Sequence, residues 1–157
     1  MRIMNNYSIE CVENELRGVE DYSTGRRHSE TEIEEAETAL GLNLSQGFRE
    51  YLRRWGHLSF GSIEYYGLTN STNFKASGVP NFVWFTLQKR EQVALPKNLV
   101  VFQNDNDEVY YCLDTSAMND QECPVVVWNN LTQEIEQCLD VDFFGFLLGD
   151  LEEYIEE

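Results

Sequence analysis

A chain of 157 residues, 42% hydrophobic and 13% aromatic, is long enough for one packed domain and too apolar to stay disordered. Its 28 acidic residues against 11 basic ones give a formal charge of −17, a field that repels nucleic acid and anionic membranes and attracts basic partners. No window is apolar enough to span a bilayer and the opening Met1-Arg2-Ile3-Met4 lacks the apolar run of a secretory signal, so the expected location is the cytoplasm.

In chain order, residues 7–19 read as a helix with Ile9, Val12 and Leu16 on one stripe, followed by a loop at 21–27. Residues 1–28 are expected to form a peripheral extension to a core of 29–157, all within one domain. Thr31 and Glu34 suit a capping box for a second helix carrying Ile33, Ala36 and Leu40, with Gly41 as its stop. Ser45 is a good N-cap for a third helix, whose stripe is Phe48, Tyr51, Leu52 and Trp55 and whose stop is Gly56. Short strands are expected at 58–62 and 63–68, and a polar loop at 70–78. Pro80 then suits the first turn of a helix running to Gln92.

Residues 99–102 form an apolar run of strand type. The turn chemistry of Asn104-Asp105-Asn106-Asp107 then leads into an alternating stretch from Val109 to Leu113, together a β-hairpin. A strand follows at 124–129 and a weaker one at 133–139. The last element is a helix capped by Asp140 or Asp142 and rich in Phe and Leu. Helices, strands, one helix, strands and a final helix predict an α+β fold: a largely antiparallel β-sheet packed against N-terminal and C-terminal helices.

Chemistry is sparse. No nucleophile elbow, phosphate-binding loop, dinucleotide fingerprint or HExxH zinc motif occurs. The four cysteines, Cys11, Cys112, Cys123 and Cys138, include no CxxC pair, and two histidines supply a zinc site poorly, so reduced, mostly packed thiols and no metal or cofactor are expected. Asp105 and Asp107 start like a calcium loop, but Tyr110 stands where that loop needs glycine, which leaves a hairpin turn. A catalytic reading would rest on His57 with a carboxylate that the sequence does not identify.

The charge is lopsided. Lys97 is the last basic residue, and fifteen acids follow it. Asp105, Asp107 and Glu108, projected by the hairpin turn, are the expected steering acids for a basic partner. Tyr65, Tyr66 and Tyr110, tyrosine being a favoured interface residue, are the candidate anchors.

Several segments carry a resemblance. Ile33-Glu34-Glu35-Ala36-Glu37 with Leu40-Gly41, then Phe48 through Gly56, then Ile63-Glu64-Tyr65-Tyr66-Gly67-Leu68 resemble the opening of the SUKH superfamily, the Smi/Knr-like proteins. Leu95 to Phe102, Val109 to Asp114, Pro124 to Trp128 and Asp142 to Leu147 continue the pattern, which looks nearest to the bacterial YobK-like branch. Ser45-Gln46 departs from the proline many relatives carry there, and Asn104-Asp105-Asn106 from a glycine-containing turn. The resemblance implies an α+β fold and no catalysis. It also implies an immunity protein that binds and neutralises a cognate toxin encoded nearby, often one ending in a nuclease domain. Some relatives are instead regulatory scaffolds. A dense negative field suits a partner whose groove is basic because it holds nucleic acid.

Overall fold

The computed structural model describes residues 7–156; the opening segment expected to lack a signal, residues 1–6, lies outside them. Helix α1 (Ile9–Leu16) is followed by a short strand, β1 (Tyr22–Thr24), then by α2 (Glu30–Leu40) and α3 (Gln46–Arg54). Strands β2 (Leu58–Phe60) and β3 (Ile63–Tyr65) precede α4 (Phe82–Gln92). Strands β4 (Leu99–Asp105), β5 (Val109–Asp114), β6 (Val125–Asn129) and β7 (Glu134–Cys138) lead to α5 (Phe143–Glu156). The fold is α+β, as expected, but its strands make two antiparallel sheets rather than one, ordered β1-β2-β3 and β4-β5-β6-β7. The sheets meet where the Tyr66 N–H donates to the Phe102 carbonyl at 2.7 Å.

Local signals explain most helix ends. The capping box of α2 is Ser29 with Glu32, two residues earlier than Thr31 and Glu34: Ser29 accepts from the Glu32 N–H while the Glu32 carboxylate accepts from the Ser29 N–H. Thr31 and Glu34 therefore lie inside the helix. Gly41 closes it at φ +73, a conformation only glycine adopts cheaply. Pro80 does not start α4: it sits before the helix, joined to Val79 by a cis peptide, and the Asn81 side chain caps the helix by accepting from Val83 and Trp84. The stretch expected to be a loop near residue 22 is instead β1, paired in register Tyr22↔Phe60 on the outside of β2.

The core is aromatic and continuous. Phe143, at the start of α5, has ring centroids 4.9 Å from Phe48 and from Tyr51 and 5.2 Å from Phe102, so it ties α3, β4 and α5 together. In β5, Tyr110 packs on Phe85 of α4 and its neighbour Tyr111 on Phe146 of α5. Adjacent strand residues point to opposite faces, so α4 and α5 cover opposite sides of the second sheet. Ile9, Val12, Leu16 and Val19 are buried in the same core, and the segment expected to be peripheral is in fact part of the packed unit. The apolar stripe of the two-turn helix α1 has to be covered by something, and α5 covers it together with α3.

Candidate protein-binding site

The three tyrosines chosen as anchors are not on the surface. Tyr65 and Tyr110 are 0% exposed and Tyr66 6%. Tyr65 donates its hydroxyl to Asp150 of α5, Tyr66 packs on Phe85, and Tyr110 donates to Asp107 at 2.9 Å. Each buries its ring, and Tyr65 and Tyr110 also satisfy their hydroxyls within the fold, so none can fill a partner's pocket. Tyr110 departs from the expectation because both faces of its strand are covered: Tyr110 and Cys112 are buried while Tyr111 is half-buried.

The acids behave as expected in position. Asp105, Asp107 and Glu108 are all exposed at the β4–β5 turn. The Glu108 N–H returns to the Asp105 carbonyl at 3.0 Å across Asn106 and Asp107, whose φ angles of 54 and 60 are those a type I′ turn requires. Asp107 also works inward, accepting from the Tyr110 hydroxyl and lying within 3.4 Å of the Asn104 amide. Asp105 and Glu108 make no side-chain hydrogen bond of this kind among the described residues, so they are the freer pair.

A second turn stands beside this one. Asn129 at the end of β6 accepts from the Leu131 and Thr132 N–H groups, building the β6–β7 connection. Asn130 then donates its backbone N–H to the Glu108 carbonyl at 2.8 Å and its side chain to the Asp107 carbonyl at 2.9 Å. The two turn tips are thus stapled into one surface. It presents Leu131, 72% exposed, and Ile135, 47% exposed, among Asp105, Glu108, Glu134 and Glu136. Leu131 and Ile135 are the apolar candidates that sequence reading missed. The available signal was an isoleucine between two glutamates in a strand too polar to be buried.

Charge separates along the chain. In the N-terminal half four arginines are paired: Arg26 with Glu32, Arg49 with Glu30 and Glu37, Arg53 with Glu30, and Arg54 with Glu13. No salt bridge among the described residues involves an acid beyond Glu37 in sequence, because no base lies close enough to them. Burial and the neighbouring acids Asp142, Glu50 and Asp120 push the Glu122 carboxyl up to about 7, although the Gly47 N–H at 2.9 Å pulls it down. Burial likewise raises Asp150. A shallow acidic groove of about 350 Å³ runs between β3, β4 and α5, past Glu64, Asp105, Asp150 and Glu153.

The remaining chemistry does not assemble into a site. His57 lies against the Gly25 backbone, and its ring bonds to no carboxylate among the described residues; desolvation lowers its pKa, with a smaller contribution from His28. His28 is buried, with Nδ1 3.2 Å from the Glu32 carboxylate and Nε2 without a partner. Cys112 and Cys123 are buried, Cys11 is partly covered and Cys138 is exposed, so the thiols are mostly packed. Burial pushes the Cys123 thiol up to about 12, so it is an inert thiol. No group of three potential metal ligands converges among the described residues. No helix among them is long and apolar enough to cross a membrane.

Two antiparallel sheets between helices, with an acidic, partly apolar corner, define an α+β fold. The SUKH_5 family, described as SMI1-KNR4 cell-wall, matches residues 7–151. The chain belongs to this SUKH (SMI1/KNR4) family. A crystal structure of a protein from Pseudomonas syringae pv. tomato has a similar fold, with a TM-score of 0.62 and 19% identity over 85% of this chain and 91% of that one.

Proposed function

We propose that the protein is a non-catalytic immunity protein of the cytoplasm, which binds and neutralises a cognate toxin with a basic, nucleic-acid-handling groove. One observation carries this reading: two turns are stapled together by Asn130, and their exposed acids have no cation within reach. An anionic surface of this kind steers a basic partner and competes with its nucleic-acid substrate, while itself repelling nucleic acid. Leu131 and Ile135 replace the tyrosines as the apolar anchors, since exposed aliphatic groups at the centre of charged ones can be desolvated on binding.

The test is co-expression and pull-down with the toxin domain encoded beside this gene, followed by association kinetics across salt. Association is expected to be fast at low salt, to slow steeply as salt rises, and to slow severalfold in an Asp105→Asn/Glu108→Gln variant with dissociation barely changed. An association rate independent of salt would remove the electrostatic basis of this reading. Failure of the neighbouring toxin to bind at all would remove the reading itself.

A further inference from the structure

The β7 strand is built differently from every other strand of its sheet. All five of its residues, Glu134 to Cys138, are exposed, whereas the four residues 125–128 of its partner β6 are buried. It is the terminal strand of the second sheet, and beyond β6 nothing among the described residues pairs with it. The α4 and α5 layers stop short of it. Its outer edge is therefore a row of backbone donors and acceptors left to water, which is the template for adding another strand.

The side chains decide which strand can add. Glu134 and Glu136 flank Ile135, whose register partner in β6 is the buried Trp128. Ile135 therefore extends the apolar row that runs from Tyr110 through Trp128, and a facing apolar residue would continue it. A second copy of this chain is a poor occupant. Antiparallel self-pairing about the middle of β7 sets Glu136 against Glu136, and like charges directly opposite one another destabilise a pair. An acidic strand is repelled for the same reason. The register shift at Val127–Trp128 adds twist that further hinders flat self-stacking. A basic strand meets neither charge obstacle: among the described residues no cation pairs with Glu134 or Glu136, and the one bond to Glu136 comes from the neutral Asn129 amide at 2.8 Å.

We propose that β7 is a strand-addition edge that takes an extended, basic–apolar alternating segment of a protein partner as the fifth strand of the sheet. This deepens the toxin-binding reading and rests on it for the partner's identity, but not for the edge chemistry. Backbone bonds to β7 hold the segment, its lysines or arginines face Glu134 and Glu136, and its apolar residue covers Ile135.

The edge can be tested without the toxin. The probe is a short synthetic peptide alternating lysine and valine, with an N-methylated version that keeps every charge and side chain but cannot complete the backbone ladder. A glutamate–valine peptide serves as the charge control. The lysine peptide is expected to bind at low salt and to slow amide hydrogen exchange within residues 134–138. Alternate N-methylation should weaken it by about tenfold or more, equivalent to about 1.4 kcal/mol. Glu134→Lys/Glu136→Lys should weaken it similarly, and the glutamate peptide should not bind. Equal binding of the methylated peptide, protection elsewhere than β7, or no binding of the lysine peptide would each overturn the proposal. With the toxin in hand the two readings separate: undiminished toxin binding by Glu134→Lys/Glu136→Lys removes the edge and keeps the immunity role. A toxin that does not bind, beside a positive peptide result, does the reverse.

Discussion

The helical N-terminal half and the sheet-rich C-terminal half use charge in opposite ways. Around α2 and α3, Glu30 and Glu37 share Arg49, Glu30 also takes Arg53, and the Glu37 carboxylate accepts from the Leu44 N–H. Arg54 reaches back to Glu13 of α1. These ions hold helices together. In the second sheet, β4 to β6 are held by ladder bonds and by apolar burial from both faces, and the acids at its turns hold nothing comparable. Asp107, through Tyr110, and Glu136, which accepts from the Asn129 amide, are exceptions. Charges that stabilise a fold are unavailable to a partner, whereas charges that repel one another at a sheet corner can be neutralised by one. The surplus of acid is therefore located where binding can use it.

The largest effect should come from cutting what both halves share. Phe143, Phe144, Leu147, Leu148 and Leu151 are all buried, each stabilising by about 1.5–3 kcal/mol, against a typical domain stability of about 5–15 kcal/mol. A chain ending at Asp142 is expected to be unfolded by circular dichroism, and Phe143→Ala in the whole chain to lose about 3–5 kcal/mol in urea. A folded 1–142 fragment would mean that the halves do not depend on α5.

The comparison itself is tested by removing charge on each side. Arg49→Met leaves Glu37, 13% exposed in its side chain, without its cation, and should cost about 1–3 kcal/mol. Glu134→Gln/Glu136→Gln should stay within about 0.5 kcal/mol of the parent, or gain slightly as repulsion falls. Comparable losses in both variants would show that the corner acids are structural after all.

A smaller effect is expected at Glu122, whose carboxylate joins the loop before β6 to the start of α3. Its folded pKa, about 7, lies above the ordinary value, so the folded state binds the proton more tightly than the unfolded state. Its contribution is fully present at low pH and is lost as pH rises from about 4.5 through 7. Glu122→Gln should thus be more stable than the parent at pH 8, with the gap closing towards pH 5. Because the carboxyl is part-exposed, the difference should be about 1 kcal/mol. Thermal denaturation of both proteins across that range checks it; a gap that widens on acidification would contradict the sign.

The smallest effect is expected for Cys138, exposed at the end of β7. Cys138→Ser should leave stability within about 0.5 kcal/mol of the parent. Cys112→Ala and Cys123→Ala should cost more, through packing alone, in denaturant titrations.

Local chemistry by itself determined the elements whose signals lie within a few residues. The stripes of α2 and α3, Gly41 and Gly56 as stops, the Asn106-Asp107 turn and the Phe- and Leu-rich α5 were all legible, because helix and hairpin periodicity is written at short range. Hairpin geometry also placed Asp105, Asp107 and Glu108 outside without reference to the rest of the chain. Ser29 was missed in favour of Thr31 because both capping boxes fit the same sequence, and the difference lies in where the chain enters the helix. The burial of Tyr65, Tyr66 and Tyr110 could only be decided in three dimensions. For Tyr110 it depends on α4 and α5 covering opposite faces of the second sheet, which cancels the rule that every second strand residue is exposed; Tyr65, in the first sheet, is covered by Phe143 and Phe146 of α5, and Tyr66 packs on Phe85 of α4. The exposure of Ile135 has the same origin: the helices that bury the neighbouring strands do not cover β7, all of whose residues are exposed, while Leu131 stands out because it lies in the β6–β7 turn.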